Sequence, residues 1–251
     1  MSDFDFETFR SALRPEAITV ISGQPQGALP PLSAEQIGAF ERHAEMVVEA
    51  NRAFNLTAIT DPAEMAIKHY LDSLSCYLAI DYISIASLCD VGSGAGFPAI
   101  PLAILFAHTR FTLIESNQKK ARFLQAVIES LGLQNCEVIA DRAEVIGQGP
   151  FRETFDVVVS RGVAPLPVLV EYCLPLVKID GTFLAMRGRK GGEEAGSSKQ
   201  SFAILGAGDL EILKVTLGDA GERALITATK SHPTPLKYPR RPGIPSKRPL
   251  K

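Results

Sequence analysis

Apolar residues recur at helical spacing in the first third of the chain and at strand spacing in much of the rest. Ile37, Phe40, Ala44, Val47, Val48 and Phe54 follow Ser33-Ala-Glu-Gln36, a serine and a glutamine spaced as in a capping box. Met65, Ile67, Leu71 and Leu74 follow Asp61-Pro62-Ala63-Glu64, which offers an N-cap acid, proline at the first helical position and an acid in the first turn. A polar break, residues 51–57, separates these two helices, and residues 22–32, rich in Gly and Pro, read as a loop. Residues 1–84 are thus expected to form a helical N-terminal region.

From residue 85 strands alternate with helices. The strand candidates are residues 85–91, 111–115, 136–140, 155–160 and 182–187, and amphipathic segments lie at 118–131 and 167–177. This alternation predicts an α/β fold with a mostly parallel sheet covered by helices on both faces. Residues 210–217 and 223–229 break the rhythm. Gly218-Asp-Ala-Gly221 between them is too short for a crossover helix, so an antiparallel hairpin should close the sheet. Residues 85–230 form the expected sheet domain, and 231–251 a tail.

At 251 residues, 46% hydrophobic and 22% charged, the chain is that of a globular protein able to bury a core without disulfides or a structural metal. Cys76, Cys89, Cys136 and Cys173 are scattered, with no C-x-x-C pair, and read as reduced core thiols of a cytoplasmic protein. The first residues are acidic where a secretion signal would be basic, and the longest apolar run, residues 97–107, is short and broken by Pro98 and Pro101. No membrane anchoring is expected.

A net charge of −2 conceals an asymmetry. Lys230, Lys237, Arg240, Arg241, Lys247, Arg248 and Lys251 fall in a stretch without Asp or Glu, which leaves residues 1–229 at −9. With Pro233, Pro235, Pro239, Pro242, Pro245 and Pro249 among them, the tail should be extended rather than helical, a cationic strip suited to a polyanion. Its removal after Thr229 is expected to weaken RNA binding and leave donor affinity unchanged.

Asp90-Val-Gly92-Ser-Gly94-Ala-Gly96-Phe97-Pro98 lies where the first strand ends and a helix begins. Alternate glycines there allow a tight turn and a close approach of backbone to a ligand. No Gly-Lys-Ser/Thr follows, so this is no Walker A loop, and the G-x-G-x-G spacing with its upstream acid differs from the G-x-G-x-x-G of NAD enzymes. Glu115 ends the second strand about 20 residues on, where a carboxylate can accept hydrogen bonds from ribose hydroxyls. Asp141-Arg142-Ala143-Glu144 follows the third strand, at the position of an adenine edge. Ser160-Arg161-Gly162 ends the fourth, at the carboxyl rim where open α/β sheets bind ligands.

This combination resembles the class I S-adenosylmethionine-dependent methyltransferases, with their Rossmann-like sheet. More narrowly, Asn55-Leu-Thr57, Lys68-His69-Tyr-Leu-Asp72-Ser73, the glycine loop, Arg142-Ala-Glu144, Val159-Ser-Arg161 and the tail over residues 238–250 are similar to the bacterial glucose-inhibited division protein B family, guanine-N7 methyltransferases of small-subunit (16S) ribosomal RNA. The likeness spans about residues 33–250. It implies S-adenosylmethionine as cofactor and 16S rRNA or the small ribosomal subunit as partner, with the protein a monomer. Gly92, Phe97, Ala143, Glu144 and Arg161 match the family's cofactor-site positions and join Asp90, Gly94, Gly96 and Glu115. Arg161, His69 and Asp72 are candidates for positioning the substrate. Ala99 departs from a glycine common in the family.

Guanine N7 carries a lone pair and no proton, so methylation requires no general base. No metal is expected either; His43, His69, His108 and His232 lie far apart in sequence. The deep major groove of A-form RNA hides N7, so the guanine must be unpaired or unstacked. Lys119, Lys120, Arg122, Arg142, Arg187, Arg189 and Lys190 are candidates to hold RNA phosphates, together with Lys237, Arg240, Arg241, Lys247 and Arg248 of the tail. Two other readings stay open: an NAD-dependent oxidoreductase, which the glycine spacing and closing hairpin disfavour, and a non-catalytic RNA-binding or ribosome-assembly protein.

Overall fold

The computed structural model describes residues 4–250; residues 1–3 of the acidic N-terminus and the last tail cation, Lys251, lie outside the described residues. Both advertised helix starts form. In α2 (Ala34–Asn51) Ser33 accepts from the Gln36 amide while the Gln36 side chain accepts from the Ser33 amide. Asp61 caps α3 (Pro62–Met65), which runs through one π-helical turn, Ala66–Leu71, into α4 (Asp72–Ser75). The wide turn carries His69 and precedes Asp72, placing both toward the rim of the sheet.

The N-terminal region is not purely helical. Besides α1 (Phe6–Ala12) it contains β1 (Ile18–Ser22), which pairs antiparallel with β7 (Ala207–Leu217), Ile18 opposite Leu217. A five-residue edge strand has little periodicity of its own, and its partner is too distant in sequence for any local pattern to reveal the pair.

The remaining strands are β2 (Ser87–Val91), β3 (Arg110–Ile114), β4 (Cys136–Ile139), β5 (Phe155–Arg161), β6 (Val177–Gly188) and β8 (Glu222–Lys230). They join β1 and β7 in one sheet of order β1-β7-β8-β6-β5-β2-β3-β4. Pairings are parallel from β4 across to β6 and antiparallel from β6 to β1, the expected mostly parallel sheet with a closing hairpin. The strand order reverses between the parallel β2 and β5, which opens a crevice at their carboxyl ends.

Side chains alternate across the sheet into two cores. Leu88, Val157 and Val159 join Phe40, Tyr70 and Leu124 on one face, whereas Cys89, Val91 and Val158 join Leu169 and Phe202 on the other. On the first face lie α1, α2, α5 (Ala99–Leu105) and α6 (Gln118–Leu131), so residues 1–84 share their core with the sheet. The second face is covered by α8 (Leu166–Cys173) and α9 (Gly191–Ile204). The helix expected at 167–177 ends early because Pro175 follows it and Val177 already starts β6. The Gly- and Ser-rich α9 hides its helical character by composition, yet buries Ala195 and Phe202.

The tail is a folded strap, not an extended cationic strip. Its Arg240 forms an ion pair with the fully buried Glu171, and Arg152 donates to the carbonyls of Thr234 and Tyr238. Tyr238 is buried, and the strap ends in a single helical turn, α10 (Ile244–Lys247), with Pro245 in its first turn. Prolines prevent internal hydrogen bonding but not docking, because side chains of the sheet domain satisfy the strap's carbonyls. Lys230, where the strap begins, is fully buried with its ammonium on Glu153 at 2.7 Å and the Leu174 carbonyl at 2.6 Å.

Candidate active site

The glycine loop between β2 and α5 is stitched to the end of β3, where the Ile114 carbonyl accepts from the amides of Gly92 at 2.8 Å and Ser93 at 3.2 Å. Gly92 and Gly94 both have positive φ, 77° and 58°, but for different reasons. A Cβ on Gly92 would run into Val163, whereas one on Gly94 would enter open space, its nearest neighbour being the Gly92 carbonyl oxygen at 3.9 Å. Gly94 therefore lines the ligand side of the loop, and Gly92 lets the loop pack. Gly96 resembles Gly92, meeting Ile100 and His43.

Beside Gly94 stands Glu115, largely buried. One carboxylate oxygen accepts from the Gly94 amide at 2.9 Å and the other from Asn117 at 2.7 Å. Two amides use only part of the carboxylate's acceptor capacity, leaving lone pairs for a diol. Asp90 lies one layer deeper. It is fully buried behind the loop, neither carboxylate oxygen has a hydrogen-bond partner, and burial pushes its carboxyl up to about 7. Asp90, expected among the cofactor-site residues, lines neither of the two cavities over the loop.

Two cavities meet over the loop, sharing Gly92, Ser116 and Val163. The larger, about 360 Å³, is bounded by Thr57, His69, Phe97, Glu115, Lys120 and Arg161. The smaller, about 230 Å³, is bounded by Asp141, Ala143, Glu144, Tyr172 and Ser246.

A charged network walls the larger cavity. Arg161, at the end of β5, donates to Asp72 at 2.9 Å, to the Lys68 carbonyl at 3.1 Å and to His69 Nδ1 at 3.3 Å, with its guanidinium 5.2 Å from the Phe97 ring centroid. Asp72 takes a second guanidinium, Arg223 of β8, at 3.1 Å. Because Arg161 can only donate, His69 Nδ1 accepts and its Nε2 donates to Thr57 Oγ1 at 2.9 Å. The His69 ring stacks on Phe97 at 4.6 Å, with His43 on a further side at 5.0 Å. His43 Nε2 donates to the Ala95 carbonyl, and Nδ1 accepts from Tyr70. Burial lowers His43 to about 4; burial and the neighbouring Arg161 lower His69 to about 3, so both rings are neutral at pH 7.

The fold thus brings His69, Phe97, Glu115 and Arg161 to one cavity, with Asp72 bound to Arg161, and places Ala143 and Glu144 at the other. Glu144 accepts from the Gly243 amide of the strap at 3.0 Å. Ala99, the first residue of α5, has helical backbone and needs no glycine. Sequence reasoning missed Arg223, Val163 and Tyr172, none of which lies in a local motif, and Ser246 was visible only as part of the tail over residues 238–250. Thr57 was visible only as part of Asn55-Leu-Thr57.

Two RNA-contact candidates are engaged elsewhere. Arg187 donates to the Ala164 carbonyl and pairs with Glu194, and Arg240 is taken up by Glu171; a guanidinium already bound to a carboxylate gains little from a phosphate. Lys119, Arg122, Arg142, Arg189, Lys190, Lys237, Arg241, Lys247 and Arg248 are exposed, and Lys120 is half-buried on the cavity wall. Among the described residues no group of His, Cys, Asp or Glu is arranged to hold a metal ion. All four cysteines are free thiols; burial raises each, Cys136 to about 12.

A sulfonium nucleoside fits this cleft. Gly94 leaves a space that a Cβ would fill, Glu115 keeps free acceptors beside it, and the smaller cavity offers the apolar walls of Ala143 and Val163 with polar groups at the edge. Solved structures share the architecture: an O-methyltransferase from Bacillus cereus in complex with SAH is 18% identical, with a TM-score of 0.53 over 75% of this chain and 91% of that one. A putative O-methyltransferase from Klebsiella pneumoniae is 16% identical, with a TM-score of 0.54 over 81% of this chain and 93% of that one. At such identities the likeness concerns the fold.

Sequence relatives are nearer. "Ribosomal RNA small subunit methyltransferase G" of Pelotomaculum thermopropionicum is 48% identical over 87% of this chain and 92% of its own length, and that of Geobacillus thermodenitrificans 45% over 87% and 93%. The family model described as rRNA small subunit methyltransferase G matches residues 36–226, which takes in the helical layer, the glycine loop, the Arg161 network and most of the closing hairpin. The chain belongs to the rRNA small subunit methyltransferase G family.

Proposed function

We propose that this protein transfers the methyl group of S-adenosylmethionine to N7 of a guanine in 16S ribosomal RNA. The observation that carries the reading is the Gly94 cradle beside the Glu115 carboxylate, in a cavity also walled by neutral His69, Phe97 and Arg161, the last held by Asp72, and opening onto a second cavity at Ala143 and Glu144. S-Adenosylmethionine supplies an electrophilic methyl on a sulfonium.

What remains for the protein is placement. Gly94 and Glu115 hold the nucleoside, and Ala143, Val163 and Tyr172 face its base. N7 presents a lone pair without a proton, which suits a site whose two buried histidines are both neutral at pH 7. Holding acceptor and donor in near-attack geometry can supply roughly 7–11 kcal/mol, and Asp72, itself held by Arg223, fixes Arg161 for that task. The exposed cations Lys119, Arg122, Arg142, Arg189 and Lys190 hold RNA phosphates around an unstacked guanine. All groups belong to one chain, which suits a monomer acting in the cytoplasm; no helix among the described residues is long and apolar enough to cross a membrane.

Incubation of small ribosomal subunits with labelled donor, followed by borohydride and aniline cleavage and primer extension, should reveal one N7-methylated guanine. Label on a different atom of the RNA overturns the N7 assignment. RNA binding with no label transfer favours a non-catalytic assembly protein.

A further inference from the structure

We infer that the C-terminal strap is a wall of the nucleoside pocket, with Ser246 and Gly243 closing the half that receives the adenine; this rests on the proposal that the cleft takes S-adenosylmethionine. The smaller cavity begins at the ends of β3 and β4, where an adenine follows a ribose held near Glu115. Its far side is not made by the sheet domain alone. Ser246, from the single turn α10, lines it and hydrogen-bonds Tyr172 at 2.7 Å, while the Gly243 amide donates to Glu144 at 3.0 Å. Tyr172 and Glu144 line the same cavity, so the strap contacts two of its walls and forms a third.

The strap is held in place from outside the cleft. Arg240 docks on Glu171, which precedes Tyr172 on α8, and Arg152 gathers the carbonyls of Thr234 and Tyr238. This anchoring fixes the position of residues 243–246 over the cavity. Loss of the strap would therefore weaken donor binding, contrary to the expectation that its removal affects RNA alone. Binding is reciprocal: if the strap contributes to nucleoside affinity, the nucleoside steadies the strap by the same factor.

Ser246 is exposed at the cavity edge, so a large side chain there can block the pocket without disturbing the core. Titration calorimetry of the full chain uses S-adenosylhomocysteine and 5′-methylthioadenosine, which share the adenosine part. S246W should weaken both by about tenfold or more, with a melting temperature in the absence of ligand no lower than that of S246A, which loses the same Tyr172 bond. S246A, which loses only the Tyr172 bond, should weaken both by a few-fold. Wild-type affinity in S246W overturns the inference while leaving the proposed function standing. Failure of the unaltered chain to bind either compound overturns the functional proposal itself. Trypsin gives an independent readout, because Lys237 and Lys247 are exposed and neither is followed by proline. S-Adenosylhomocysteine should slow cleavage of the strap in the unaltered chain; equal rates with and without it count against the inference.

Discussion

The two halves of the cleft are bounded by opposite ends of the chain and held by different physics. The larger half is walled by the π-helical turn and α4, fixed by a carboxylate shared between two guanidinium groups and by a neutral histidine wedged against Phe97. The smaller half is closed by the strap through neutral or singly charged hydrogen bonds, Ser246 to Tyr172 and Gly243 to Glu144. Buried ion networks fail abruptly when one member is removed, because the others are left charged in a poor solvent. Hydrogen bonds at an exposed edge fail gradually, since water replaces them. One half is walled by charge, whereas the other, though its strap is anchored from outside by Arg240 on Glu171, meets the cavity through bonds that water can replace.

The contrast is broken most sharply by Asp72→Ala. Arg161 and Arg223 would face each other without their common acceptor, and unfolding in urea should show a loss of about 3–5 kcal/mol. A loss near that of an ordinary surface ion pair would mean the network is solvated and the two halves are alike.

Gly94→Val comes next. Positive φ at a β-branched residue is strained, and the side chain would occupy the open space of the cradle. Calorimetry should show S-adenosylhomocysteine affinity reduced by about a hundredfold or more, which corresponds to roughly 3 kcal/mol. Unchanged affinity would place the nucleoside elsewhere.

Asp90→Asn tests the layer beneath both halves. Burial holds the Asp90 proton in the folded chain up to about pH 7, whereas the unfolded chain releases it near the ordinary carboxylate value. The unfolded state therefore binds fewer protons in that window, and Asp90 erodes stability as pH rises through it. Relative to the unaltered chain, Asp90→Asn should gain on the order of 2 kcal/mol between pH 5 and pH 8. His43 and His69 act in the opposite direction. Their folded values, about 4 and about 3, lie below the ordinary imidazole value, so stability falls as pH drops below that value in both proteins and cancels from the comparison. A pH-independent difference would show that Asp90 is ionised in the folded chain.

Tyr172→Phe should have the smallest effect. It removes one hydroxyl bonded to Ser246 and should cost about 1 kcal/mol of stability, with donor affinity falling a few-fold. An effect as large as that of Asp72→Ala would erase the distinction between the halves.

What the sequence disclosed was whatever had a short range. The capping box at Ser33, the helix start at Asp61, the glycine loop and Glu115 each depend on residues within a few positions or one βαβ unit, and all stand where the pattern put them. The strand-end position disclosed Arg161, and family resemblance added His69 and Asp72, whose meeting with Arg161 across about 90 positions has no periodic signature. Hidden from both were partners supplied by distant segments: Arg223 on the last strand, the bond from Ser246 of the strap to Tyr172, and β1 at the sheet edge. Charge composition misled for the same reason. Arg240 and Lys230 look like free cations in a row of residues, and only the fold reveals Glu171 and Glu153 waiting for them.

The pairing of Ile18 with Leu217 has a consequence for how the molecule is made. On the ribosome β1 leaves the exit tunnel long before the hairpin that receives it, so this strand must remain unattached at that edge until β7, about 200 positions later, has been synthesised. Such long-range closure is slow, and the sheet border is sealed only after the hairpin has emerged.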